Sequence, residues 1–348
     1  MNERLADRSS ILKRLTETRI GKDVAPDPLV SIIIPAYNIA PYIRETLESV
    51  LAQTRGDFEA IIVNDGSSDT EDLERELDLF FDRIVYARQE NAGASAARNA
   101  AICLSRGEAL AFLDGDDVWL PDYLSQQLEF LENSPFEMIY CDAEIIGQPH
   151  FEGENYMLNA PSDGEVTPVS LITAECNVIT SGTVLRRSVL EKFDLFDIDL
   201  PRTQDFELWF RLARQGVRIG YQKKILLRYR VRPGNLTGDN ISRARRDYKS
   251  LEIIREKYDL TGAEAVALKK MSDIYESVIY LEMGKTELRR ENFPSARENF
   301  RRAESLRPSL KQKVLNFILT LSPRLVLLLF KKFRPEEFGA IARKDPEK

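Results

Sequence analysis

The sequence predicts a doubly wound, mostly parallel α/β sheet followed by an all-helical region. Short apolar runs at 29–34, 58–63 and 109–113 each stop on polar or acidic residues, and stretches with helical spacing separate them. Beyond Asn240 the strand pattern ends, while helical spacing continues. Strands that alternate with helices pair in parallel and are covered on both faces, so they read as continuous apolar runs.

Residues 1–28 form an N-terminal extension, with a helical patch from Ile11 to Ile20 and a linker, Ala25-Pro26-Asp27-Pro28. The first strand, Leu29 to Ile34, is cut by Pro35. Ile43, Leu47, Val50 and Leu51 space a helix over 41–53, and Phe58 to Val63 is the second strand. A helix (Thr70–Leu79), a strand (Arg83–Ala87) and an Ala-rich helix (Ser95–Ser105) lead to the third apolar run, Ala109–Leu113. Further strands are expected at Met138–Ala143 and Thr180–Leu185. Residues 204–213 have the spacing of an amphipathic helix, closed by Gly216.

The chain carries 30% charged residues and a net charge of −7, which argues against general nucleic-acid binding. Cys103, Cys141 and Cys176 lack CxxC spacing and read as buried, reduced thiols. The one histidine, His150, lies in a loop stretch, so histidine-based zinc or triad chemistry is nearly excluded. The charged N-terminus is unlike a secretory leader, and no apolar run reaches the roughly 20 residues of a spanning helix. A cytoplasmic location is the expectation.

Three strands end on polar clusters: Pro35-Ala36-Tyr37-Asn38, Asn64-Asp65-Gly66-Ser67 and Asp114-Gly115-Asp116-Asp117. Parallel sheets collect ligands beyond the C-terminal ends of their strands, so these clusters belong on one rim. Asp65 there suits an imide N–H such as uracil offers, Tyr37 offers an aromatic face for a base, and Arg98 suits the base or the diphosphate. Asp116 and Asp117 suit the ribose and a divalent ion on the phosphates, with Asp114 shaping the turn or adding a ligand. Mg²⁺ and Mn²⁺ bind in this way, through one or two carboxylates plus phosphates. Asp205, at a helix start, is placed to serve as a general base toward an acceptor hydroxyl.

The ordered set Val30-Ser31-Ile32-Ile33-Ile34-Pro35-Ala36-Tyr37-Asn38, Val63-Asn64-Asp65-Gly66-Ser67-Ser68-Asp69, Ala97-Arg98-Asn99 and Phe112-Leu113-Asp114-Gly115-Asp116-Asp117 resembles the family-2 glycosyltransferases of GT-A fold. Each motif alone is weak, but four in order are specific, and the resemblance covers roughly residues 29–240. It implies a GT-A domain there and an inverting transfer from a nucleotide-sugar, commonly UDP-linked, with Mg²⁺ or Mn²⁺. It also implies that Asp205 is the catalytic base, that Pro35, Tyr37, Asp65, Arg98 and Asp116 meet the donor, and that Asp114, Asp116 and Asp117 supply metal ligands. Asn64 departs from the family's usual aspartate, Gln204 from its usual glutamate, and Arg232 from its usual histidine. Arg230 and Arg232 are candidate clamps for the diphosphate. The processive signature Gln-x-x-Arg-Trp is absent, so transfer of one sugar to a surface glycan or lipid-linked acceptor is expected. A sugar nucleotidyltransferase is the alternative, but it would carry a Gly-rich loop after the first strand. A noncatalytic binding protein would not need Asp65, Asp116, Asp117 and Asp205 intact.

Residues 241–348 read as a helical region. Near 275–308, Gly284, Ala296, Phe300, Ala303 and Pro308 resemble a single tetratricopeptide hairpin. Val314–Leu321 and Leu325–Phe330 are strongly apolar, and residues 311–348 hold nine Lys/Arg against four Asp/Glu. A basic, apolar tail over 311–334 suits peripheral contact with the inner face of an anionic membrane.

Overall fold

The structure is a computed structural model. It describes residues 4, 7–148, 152–200, 202–232 and 240–333. His150 and Pro233-Gly234-Asn235 lie outside the described residues. The chain divides into two compact units, Met1–Pro233 and Gly234–Lys348.

In the first unit, α1 (Arg8–Leu12) and β1 (Leu15–Ile20) precede β2 (Val30–Ala36), α2 (Ala40–Leu51), β3 (Phe58–Asp65), α3 (Thr70–Leu77), β4 (Ile84–Gln89), α4 (Ala94–Leu104) and β5 (Ala109–Phe112). There follow β6 (Val118–Trp119), α5 (Tyr123–Glu132), β7 (Met138–Ile146), α6 (Tyr156–Asn159), α7 (Pro168–Ile172), β8 (Thr183–Arg186), α8 (Arg187–Lys192), α9 (Gln204–Arg214) and β9 (Ile219–Arg230). The strands form one sheet in the order β1-β4-β3-β2-β5-β8-β7-β9-β6. Its heart, β4-β3-β2-β5, is parallel throughout. Since β5–β8 and β8–β7 are both antiparallel and β7–β9 is parallel, β7 and β9 run with that heart, leaving β1, β8 and β6 reversed.

Val30, Ile32, Ile33 and Ile34 are buried, as are Ala60–Val63 and Ala109–Leu113. Burial on both faces is why these strands read as unbroken apolar runs. Pro35 is tolerated in this central strand because of where β5 stops. The Leu113 N–H donates to Ile33 O (3.1 Å), so Pro35, two residues on, faces the same side beyond the β2–β5 pairing, which ends at Ile33 and Phe112. No ladder partner there needs the N–H that proline lacks.

The helical patch expected over Ile11–Ile20 is corrected. Only Arg8–Leu12 is helical, and Leu15–Ile20 is an edge strand antiparallel to β4. Its β-branched threonines alternate with longer side chains, and pairing across the edge decides the conformation. The last strand, β9, was not anticipated. Lys223 and Lys224 fall together in its middle, and the β7–β9 register shifts around Asp142, so the period of two is broken there.

The second unit is helical: α10 (Asn240–Lys257), α11 (Gly262–Arg289), α12 (Phe293–Leu306), α13 (Leu310–Leu321) and α14 (Pro323–Phe333). The capping box of Thr261 and Glu264 starts α11. Where α11 meets α12, a Cβ on Gly284 would stand 3.1 Å from the Phe300 ring, and Ala296 and Ala303 are buried beside it. Small residues at that crossing let the two helices approach closely. Leu288, Phe300, Leu319, Val326 and Leu327 form a core that α13 and α14 complete. No helix among the described residues is long and apolar enough to cross a membrane.

Candidate active site

Parallel pairing sets the C-terminal ends of β2, β3 and β5 on one rim, so the three polar clusters come together there. Side-chain bonds tie them. Asn38, in the left-handed region at φ 52°, donates its N–H to Ser67 Oγ (3.1 Å) and accepts from Ser68 N–H (2.9 Å). Gly66 holds φ 64°, and a Cβ there would meet Asn91 N at 2.7 Å. Asn64 answers its departure from aspartate with donors, since its amide gives hydrogens to Thr70 Oγ1 (3.0 Å) and Tyr86 Oη (3.1 Å). A carboxylate has no hydrogens for those two oxygens.

Asp65 is buried. It accepts from Gln89 Nε2 (2.7 Å) and Ala92 N–H (2.9 Å) at Oδ1, and from Gly93 N–H (2.8 Å) at Oδ2. Its first task is to hold the loop that enters α4. With about four acceptor positions on a carboxylate, capacity for a further donor remains at Oδ2. Tyr37, by contrast, is half exposed at the strand end.

The carboxylate turn separates its members. Asp114 accepts from Arg98 Nη2 (2.6 Å) and keeps about a third of its side chain open, at 35% exposure. Arg98 is buried and stacks over Phe196 at 5.5 Å, and its Nε and Nη1 have no hydrogen-bond partner. Sequence analysis assigned Arg98 to the base or the diphosphate, whereas the structure directs it at Asp114. Asp116 pairs through Oδ2 with Arg232 Nε (2.7 Å). Burial, and then the Asp114 charge, raise the Asp116 carboxyl above the ordinary carboxylate range. Asp117 is fully enclosed, with Oδ1 accepting the Arg230 N–H (2.8 Å) and Oδ2 unpartnered. Burial, followed by the charges of Asp116 and Asp114, pushes its carboxyl well up. Gly115 packs closely within this turn, and a Cβ there would displace the tip of Ile39, Cδ1. Thr46 Oγ1 closes the turn from α2, with its single hydroxyl hydrogen shared between Gly115 O (3.0 Å) and Asp117 O (2.9 Å).

Among the described residues, no three Asp, Glu, His or Cys side chains converge as a ready metal cage. Asp114, Asp116 and Asp117, the carboxylates expected on a metal, are not gathered into such a cage in this structure. What fits is a cation bound by one or two of them and completed by donor phosphates. The unpartnered Asp117 Oδ2 and the mutual repulsion within the turn are the features such an ion would relieve. Arg230 and Arg232 also divide. Arg230 donates from Nε to Asp116 O (2.8 Å) and pairs with Glu45, whereas Arg232 bonds the Asp116 carboxylate itself.

Asp205 lies in the first turn of α9, half-buried, after Thr203 in the left-handed region. Its Oδ2 accepts from Thr180 Oγ1 (3.0 Å). The next residue, Ser181, accepts the Asp114 N–H at Oγ (3.1 Å) and the Trp119 Nε1–H at its carbonyl (2.8 Å). Thr180 and Ser181 thus link Asp205 to the carboxylate turn. Sequence analysis took both as part of a strand. In fact the strand β8 begins at Thr183, behind a short helical turn at Thr180–Gly182. Their one signal was three small polar residues ahead of an apolar run.

The model of glycosyl transferase family 2 matches residues 31–194. Glycosyltransferase RP339 of Rickettsia prowazekii, itself uncharacterized, is 34% identical over 60% of this chain and 66% of its own length, so just under two thirds of that relative is matched. TuaG of Bacillus subtilis, a glycosyltransferase provisionally assigned to teichuronic acid biosynthesis, is 30% identical over 64% of this chain and 86% of its own. The fold is shared with two solved structures. S. aureus TarS 1–349 in complex with UDP-GlcNAc has TM-score 0.52 and 20% identity, covering 85% and 87% of the two chains. The mannosyltransferase PcManGT of Pyrobaculum calidifontis, in complex with GDP-Man and Mn²⁺, has TM-score 0.57 and 18% identity, covering 95% and 88%. With its mostly parallel GT-A sheet and its rim of strand-end clusters, the chain belongs to glycosyl transferase family 2, a family of sugar-transferring enzymes.

Proposed function

We propose that the protein transfers a single sugar, with inversion, from a nucleotide-sugar to a hydroxyl of a surface glycan or glycolipid. The observation that carries this reading is the Thr180–Ser181 link, which couples one carboxylate, Asp205, to a separate turn of three. An inverting displacement needs this division: a base on the acceptor side, and anion-stabilising groups on the leaving-group side. The acceptor hydroxyl gives its proton to Asp205, its oxygen forms the bond to the anomeric carbon, and the bond to the diphosphate breaks on the opposite face. The first turn of a helix favours the negative charge that Asp205 must carry beforehand.

On the donor side, Tyr37 stacks on the base, Asp65 accepts from it through the remaining capacity at Oδ2, and Asp114 and Asp116 face the ribose and diphosphate. Pro35 shapes the strand end beneath them. Mn²⁺ or Mg²⁺, held by Asp116 with support from Asp117, neutralises charge on the leaving nucleoside diphosphate when bound. UDP is the proposed nucleotide. The UDP-GlcNAc of TarS and the GDP-Man of PcManGT mark the range in proteins of this fold. A nucleotidyltransferase is disfavoured because β2 leads into Tyr37-Asn38-Ile39-Ala40 without a glycine loop.

We also place the acceptor at the inner face of a membrane. Leu310, Val314, Phe317 and Leu321 are exposed along one face of α13, and Leu325, Leu328 and Leu329 along one face of α14. Lys311, Lys313, Arg324, Lys331 and Lys332 flank them, which suits an anionic lipid surface.

The Asp205→Asn variant tests the reading. Transfer should fall by about 10²–10⁴-fold, while UDP with Mn²⁺ still raises the melting temperature. Undiminished transfer would refute the base.

A further inference from the structure

Two residues beyond β9, Arg232 closes over the mouth of the donor site. Its Nε lies 2.7 Å from Asp116 Oδ2, its Nη1 donates to Asn38 O (3.4 Å), and its guanidinium stands 5.3 Å from the Tyr42 ring centre. One side chain thus joins the carboxylate turn to the loop that follows β2. Arg230 behaves differently, since its backbone serves Asp117, its Nε serves a carbonyl, and its partner carboxylate is Glu45.

We propose that Arg232 is the resident counter-ion of Asp116 and has to leave before a divalent cation binds, so that the cation enters together with the diphosphate onto which Arg232 moves. The inference rests on the donor-and-metal reading above. Asp116 is only 8% exposed and stands beside two other carboxylates, a position where an anion needs a nearby positive charge. A guanidinium has five donors and no lone pair, so it satisfies the carboxylate but cannot ligate a metal with it. A dication arriving alone meets a paired carboxylate and a neighbouring positive charge. When it arrives with a diphosphate, it offers the displaced guanidinium a two-oxygen partner of matching geometry. Cation and nucleotide therefore raise each other's affinity, as linkage requires. With 26% of its side chain exposed, Arg232 has room to make the exchange.

The test is Mn²⁺ binding to the full-length, nucleotide-free protein, read from the EPR signal of the free ion. Arg232→Gln should bind Mn²⁺ about tenfold or more tightly than the wild type, the order expected when a unit charge beside a cation site is removed. Adding Asp116→Asn should abolish the gain, and UDP should bring wild type and variant to within about threefold of each other. Arg230→Gln separates direct pairing from a general charge effect and should tighten Mn²⁺ by less than about threefold. If Arg232→Gln fails to reproduce the wild-type circular dichroism, Arg232→Met replaces it, with the same gain expected because it also removes the charge. A variant unchanged from wild type, or an equal gain from Arg230→Gln, overturns the exchange while leaving the donor site intact. No Mn²⁺ uptake by wild type with UDP present overturns the donor-and-metal reading, and the exchange with it.

Discussion

Replacing Asp114 by alanine should destabilise the protein more than replacing its partner Arg98 by methionine, although both break one ion pair. The asymmetry follows from burial: the Arg98 side chain is 6% exposed and that of Asp114 35%. Without Asp114, the guanidinium stays enclosed with Nε and Nη1 already unpartnered, and only its stacking on Phe196 remains. Stranding a buried charge costs about 3–5 kcal/mol, and the retained cation–π contact sets this case near 3. Without Arg98, water reaches the open part of Asp114, and methionine keeps most of the contact with Phe196, so the loss is about 1 kcal/mol. The difference, about 2 kcal/mol, corresponds to roughly 4–8 °C in Tm for a domain of this size. Trp119 and Trp209 are the chain's two tryptophans and both lie in the unit that holds the pair, so their fluorescence follows its unfolding in urea. The double variant should fall closer to Arg98→Met than to Asp114→Ala. An Asp114→Ala protein as stable as Arg98→Met would refute the reasoning.

Gly115→Ala should cost about 1–3 kcal/mol, because the added carbon runs into Ile39 Cδ1 in a filled core. It should also reduce the melting-temperature gain from UDP with Mn²⁺, since Ile39 has to shift against the turn; a gain equal to wild type would contradict the packing argument. Thr180→Val deletes the hydroxyl on Asp205 Oδ2 and should lower kcat about tenfold while leaving the donor KM unchanged. A shift in donor KM alone would move Thr180 to the donor side. For the tail, Phe317→Glu with Leu328→Glu should abolish flotation with phosphatidylserine vesicles and leave unfolding unchanged, since both side chains are exposed. Flotation equal to wild type would remove the membrane contact.

The central strands were legible because β2, β3 and β5 are buried on both faces and so carry no polar interruption until the rim. The polar clusters were legible for the same reason, as each stands where such a run stops. What escaped were features decided by partners remote in sequence. Residues 15–20 became a strand because β4 offers an edge, and a local spacing of apolar residues could not distinguish that from a helix. β9 was hidden by its two central lysines and a register shift. Thr180 and Ser181 matter through a carboxylate 25 residues downstream and a backbone N–H 67 residues upstream, and no periodicity reports either. Arg98 could be singled out from its motif, but its partner, an aspartate 16 residues on, is a tertiary fact.

Charge ties these observations together. Three carboxylates share one turn, and guanidinium groups from two distant places, α4 and the end of β9, already meet two of them. The third, Asp117, is fastened by a backbone N–H, and burial drives it toward the protonated form. Each of the three therefore has a partner before any ligand arrives, although Asp117 Oδ2 has none. On the proposed donor-and-metal reading, a free dication has to displace one of these partners, and a free diphosphate brings charge of one sign into a poorly hydrated place. A diphosphate carrying its dication is nearly neutral and adds the least charge, so on the proposed reading these arginines favour the loaded donor over either of its parts. Sequence analysis treated Arg98 and Arg232 as groups that hold the donor. Their pairing with Asp114 and Asp116 makes them, first, the counter-ions of the turn, and the proposed exchange gives them a say in the state in which the donor comes.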